Sequence, residues 1–85
     1  MKEFKYIIKD KEGIHARPAG LFVKEAAAFP CTVTIGKGGK EVDAKRIFGV
    51  MGLGAKCGEE IIIKTEGEKE EEAIEALSRF LEENL

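Results

Sequence analysis

Apolar and polar residues alternate along several stretches of the chain and recur at helical spacing in two others. Over residues 3 to 9, Phe4, Tyr6 and Ile8 share one face while Lys5, Ile7 and Lys9 take the other, the period-two pattern of a strand with one buried side. After the loop DKEG, the apolar positions Ala19, Phe22, Val23, Ala26 and Ala27 repeat with a helical period until Pro30 stops the run. Cys31, Val33 and Ile35 then alternate with Thr32 and Thr34, and GKGG reverses the chain into KEVDA, which predicts a hairpin. RIFGVMGL, residues 46 to 53, is a short helical segment bracketed by glycines, and EEIIIKTEG supplies a β-branched strand. From Lys69 the acidic KEEE suits a helix amino terminus, and Ala73, Ile74, Leu77, Phe80 and Leu81 form an apolar stripe behind it.

The predicted order is β-α-β-β-α-β-α. Alternating strands imply an antiparallel sheet with one face covered by helices and the other open, an α+β fold of the two-layer, open-faced sandwich kind. Eighty-five residues leave room for one domain, residues 1–85, with one modest core. The chain contains no repeat or linker.

Charge narrows the partners. Fourteen basic residues against sixteen acidic ones leave a net charge of -2, so there is no large cationic field to hold nucleic acid. The opening MKEFKYIIKD is charged throughout, and no apolar run approaches the ~18 to 20 residues that a bilayer span needs, so a cytoplasmic protein without direct membrane insertion is expected. Cys31 and Cys57 lie far apart, make no CxxC pair and have a single histidine to join them. Both are read as reduced, buried small residues, and no metal site is expected.

That single histidine, His15, stands in GIHARPAG. Pro18 fixes the helix start just upstream of itself, because a proline is tolerated in the first turn, where its missing N–H has no intrahelical partner to lose. With His15 as N-cap, the backbone amides of Ala16 and Arg17 are free donors at the positive end of the helix dipole, a place that favours an anion. Arg17 adds a permanent charge and a planar fork that fits phosphate oxygens. A neutral imidazole is a competent nucleophile. No serine lies near and no carboxylate partner is evident in the adjoining sequence, so hydrolytic and metal chemistry lack parts. The arrangement suits a histidine that is phosphorylated and hands the group on by in-line transfer, a reaction that depends mainly on positioning and charge neutralisation.

A second segment, RIFGVMGLG, is apolar on both sides of a very short helix: Ile47, Phe48 and Met51 on one, Val50 and Leu53 on the other. Only one side can face a core. The other is either buried elsewhere or an exposed docking patch.

GIHARPAG, KGGKEVDAKRIFGVMGLGAKCGEE and EGEKEEEAIEALSRFLEE together resemble the HPr family, the histidine-containing phosphocarriers of the phosphoenolpyruvate-dependent sugar phosphotransferase system, over the whole length. The resemblance implies sheet order 1-4-2-3. It also implies that His15 accepts phosphate on Nδ1 from phosphorylated Enzyme I and passes it to sugar-specific A components, as a covalent carrier and not an enzyme, with no cofactor. Arg17, the Ala16 amide and Pro18 match the phosphate-stabilising elements; Ile47, Phe48 and Met51, bordered by Gly20 and Lys24, match the docking surface. Arg46 occupies the place of a regulatory serine found in many Gram-positive members, so seryl regulation there is expected to be absent. The remaining readings are an HPr-like regulator that binds partners without taking phosphate, a kind that usually lacks the histidine, and a carrier serving a nitrogen-regulatory or dihydroxyacetone kinase branch. A monomer is expected.

Overall fold

The computed structural model describes Met1 to Leu85. In chain order the elements are β1 (Lys2–Ile7), α1 (Ala16–Ala27), β2 (Thr32–Lys37), β3 (Lys40–Asp43), α2 (Ile47–Gly52), β4 (Glu60–Glu66) and α3 (Glu70–Asn84). The four strands form one antiparallel sheet in the order β1-β4-β2-β3, the α+β open-faced sandwich that the sequence implies.

Register puts the apolar faces together. Tyr6 pairs with Ile61, Phe4 with Ile63 and Ile35 with Ile63, so alternate residues of three strands stack on the helix-covered side. Ile61, Ile63, Val33 and Ile35 are buried there with Phe22 of α1 and Leu77 and Leu81 of α3, and the Phe22 and Phe80 rings lie 5.8 Å apart. The hairpin turns on Gly38 and Gly39, whose φ values of 58° and 87° suit the two-residue turns that match strand twist. The opposite sheet face carries Ile7, half exposed, and a Lys64–Glu41 ion pair of 2.6 Å.

Three details differ from the sequence reading. The first strand ends at Ile7, although Ile8 just beyond it is buried. Ala27 is exposed, because it lies roughly a quarter turn round the helix from the centre of the Ala19, Phe22 and Ala26 stripe. Cys31 is buried as expected, but Cys57 is exposed: it sits in the turn before β4, outside any strand alternation, with Sγ 3.7 Å from the Lys9 carbonyl.

Two contacts place the helices that frame the site. Lys45 Nζ donates to the carbonyls of Phe29 and Cys31, both at 2.8 Å, and so ties the end of α1 to the segment that starts α2. Gly20 of α1 then faces Ile47 of α2; a methyl group at position 20 would lie 3.7 Å from Ile47 Cδ1.

Candidate functional site at the start of the first helix

His15 is the N-cap of α1, with extended backbone (φ -126°, ψ 179°), and its carbonyl accepts the first intrahelical bond from Ala19 N at 2.9 Å. The amides of Ala16 and Arg17 precede that bond and stand at the positive end of a twelve-residue helix. His15 makes no side-chain capping bond, so its ring is not used to satisfy those amides. Pro18 is buried in the first turn, whereas Ala16 and Arg17 are exposed.

The loop before the histidine is held from three sides. Gly13 has φ 68°, and a Cβ there would collide with the Ala55 carbonyl and stand 2.8 Å from Lys56 Cα, so only glycine permits this approach. Gly13 N donates to Asp10 O at 3.0 Å and Ile14 N to Ala55 O at 2.9 Å. The turn that receives Gly13 is braced by Glu59, whose Oε1 accepts from Lys56 N at 2.6 Å and pairs with Lys37 Nζ at 3.0 Å. These bonds hold the Glu59 carboxyl below its ordinary range, the Lys37 hydrogen bond first and the Lys56 amide second. On the other flank, the Leu85 carbonyl accepts from Lys9 N and Asp10 N at 2.6 and 2.7 Å.

The structure also corrects the view of His15 as lacking a carboxylate. Glu12 reaches back across the Gly13 turn to place Oε2 3.4 Å from His15 Nε2. The signal was the i,i+3 spacing, but the glycine turn that closes it is not a helical one and so was not read from periodicity. Asp10, Glu12 and His15 each offer a ligand atom within 4.8 Å of the others and are the residues that could hold a divalent cation, although Asp10 Oδ1 already accepts from Glu12 N at 2.8 Å. Asp10, His15, Arg17, Pro18, Leu21 and Asn84 line one open hollow. Asn84 arrives from the far end of the chain, which no local pattern could reveal.

Next to the hollow lies an apolar surface. Phe48 is 87% exposed, Leu21 47% and Met51 38%, while Val50 and Leu53 are buried, so α2 does present one of its two apolar sides to solvent. Ile47 is half-buried between α2 and Gly20, and Lys24 is exposed on α1. Leu21 was missed in the sequence, where its position opposite the buried stripe was the available sign.

Fold and site define a class of protein, an open-faced α+β sandwich with a lone histidine at a helix mouth beside an apolar patch. Residues 2–83 match the family described as the PTS HPr component phosphorylation site. The chain is 48% identical over 82 residues to the HPr-like protein Crh of Halalkalibacterium halodurans, covering 96% of this chain and 98% of that one. It is 41% identical over 85 residues to the phosphocarrier protein HPr of Mycoplasma genitalium, covering 99% and 97%. HPr-C-His from Thermoanaerobacter tengcongensis superposes with a TM-score of 0.92 at 46% identity, covering 96% of this chain and 92% of the other. An HPr dimer from the same organism superposes at 0.78, also 46% identical, covering 98% and 95%. The chain belongs to the HPr family of the phosphotransferase system. No helix is long and apolar enough to cross a membrane.

Proposed function

We propose that this chain is a phosphocarrier in which His15 Nδ1 accepts a phosphoryl group from phosphorylated Enzyme I and passes it to sugar-specific A components. The observation that carries this reading is the state of His15: an N-cap whose ring is free of capping bonds and 37% exposed, at the unpaired first-turn amides and in one hollow with Arg17. In-line attack needs an accessible nucleophile with anion-stabilising donors at the phosphorus, and the helix mouth supplies both. Arg17, the Ala16 amide and the dipole neutralise the phosphoryl oxygens, and Pro18 sets the first turn that aims the amides. Docking falls to Ile47, Phe48 and Met51, flanked by Gly20 and Lys24, with transient contacts of roughly 1,200 Å² or less. The chain has no turnover of its own in this scheme and acts as a monomer in the cytoplasm.

The likeness to Crh favours a second reading, a regulator that binds through the same patch and takes no phosphate. Incubation with Enzyme I and labelled phosphoenolpyruvate separates the two. A carrier takes up acid-labile, base-stable label that His15→Ala lacks; a regulator takes up none. Sedimentation at working concentration tests the monomer, which a dimer like that of the Thermoanaerobacter relative would contradict.

A further inference from the structure

Glu12 has no part in the phosphate-binding set described above, yet its carboxylate is the one that pairs with the His15 ring, 3.4 Å from Nε2. Its place is built. The Glu12 amide is bonded to Asp10 Oδ1 at 2.8 Å, and the Gly13 turn that follows is pinned against Ala55 and Lys56, so the path from Glu12 to His15 is fixed by backbone contacts on both sides. Which nitrogen of an imidazole carries the proton is set by the partner of the other nitrogen. At 3.4 Å the contact is long for a hydrogen bond, so the carboxylate acts by its negative charge, which favours the ring form with hydrogen on Nε2.

We propose that Glu12 is a positioning residue: it holds His15 in the Nε2–H tautomer and leaves the Nδ1 lone pair as the nucleophile. The role rests on the carrier reading and assigns it a second half. Arg17 and the first-turn amides receive the anion, and Glu12 receives the positive charge. As the Nδ1 lone pair attacks phosphorus, the Nδ1–P bond forms and the P–N bond of the donor phosphohistidine breaks, its electron pair staying on the donor nitrogen. Nε2 keeps its proton throughout, so the His15 ring becomes cationic, and the Glu12 carboxylate faces that charge as it develops. The same contact orients the ring during the onward transfer.

The test compares wild type, Glu12→Gln and Glu12→Ala as full chains. Glu12 is three-quarters exposed and the hydrogen bond from its backbone N–H to Asp10 Oδ1 does not depend on its side chain, so both variants keep the fold. Ring ¹⁵N spectra of His15 report the tautomer without any partner present. Single-turnover acceptance from phosphorylated Enzyme I at saturating donor reports the chemical step apart from docking. In Glu12→Ala the share of Nδ1–H tautomer rises and acceptance slows about 3- to 10-fold, the range for one solvent-accessible charge-assisted contact. Glu12→Gln, which retains an acceptor oxygen without the charge, falls between. Tautomer populations unchanged in both variants overturn the proposal, as does an unchanged saturating rate. Failure of wild type itself to take phosphate from a competent Enzyme I overturns the carrier reading, and is seen without reference to either variant.

Discussion

Arg17 lies in solvent at the first turn of α1, so it acts through a fixed charge and a planar fork rather than through packing. Arg17→Ala is expected to lower the phosphoryl-transfer rate by about 100-fold, the scale of one lost transition-state donor, while the thermal transition stays in place. Arg17→Lys keeps the charge without the fork and recovers part of the rate in the same assay. Arg46 is the N-cap of α2, makes no side-chain capping bond and meets Asp43 Oδ2 only at 3.9 Å. A cation at a helix start gains nothing from the dipole. Arg46→Ser therefore stabilises the protein by up to about 1 kcal/mol in urea titrations, through a proper N-cap. As the resemblance implies, incubation of the unaltered chain with ATP and a kinase that phosphorylates the serine of Gram-positive members leaves no stable phosphate on residue 46, an arginine. If Arg46 pairs with acidic groups on partners, the same exchange also weakens partner binding; unchanged affinity would remove that role.

At the scale of elements, periodicity marks β1, α1, β2 and α3, because the core takes alternate strand residues and one stripe of each long helix, while the GKGG turn, the glycines around α2 and the β-branched run of β4 supply the rest. Sheet order was not legible in periodicity: nothing in the spacing of Ile61 or Val33 says that β4 inserts between β1 and β2, and that order came from family resemblance. His15, Arg17 and Pro18 could be placed at the helix start from sequence because a helix start is a local event. Glu12, Asn84 and the Ala55–Lys56 support could not, since they reach the site through a left-handed glycine and a chain terminus. The short helix α2 shows why both readings of its apolar faces were open: Val50 goes inward while Phe48 stays outside. Because Phe48 is almost free of the fold, Phe48→Ala is expected to weaken binding to Enzyme I by about 10-fold or more with little loss of stability, as for an aromatic anchor at an interface. Calorimetric titration against Enzyme I, paired with a melting curve, checks both halves.

For the whole molecule, acid is the condition that loosens the frame. Glu70 is held below the ordinary glutamate range chiefly by the Met1 amino group, 2.8 Å from Oε2, and next by the Gly67 amide at 2.9 Å; Glu59 is held down by Lys37 and Lys56. A carboxyl with a lower value in the folded than in the unfolded chain contributes stability that is complete above the unfolded value and is lost as pH falls through the folded one. Denaturant midpoints should therefore drop on acidification through the carboxylate range. Glu59→Gln and Glu70→Gln should each flatten that slope, and variants whose slope equals that of the unaltered chain would show that these pairs are not its source. Since Glu59 braces the turn that receives Gly13, its protonation also reaches the His15 loop.

The most direct test of the central claim is a combined ³¹P and ¹⁵N spectrum of the protein after incubation with Enzyme I and phosphoenolpyruvate. One phosphoryl group is expected, coupled to Nδ1 of His15, with hydrogen on the Nε2 that faces Glu12. No bound phosphorus, or phosphorus coupled to Nε2, would contradict it.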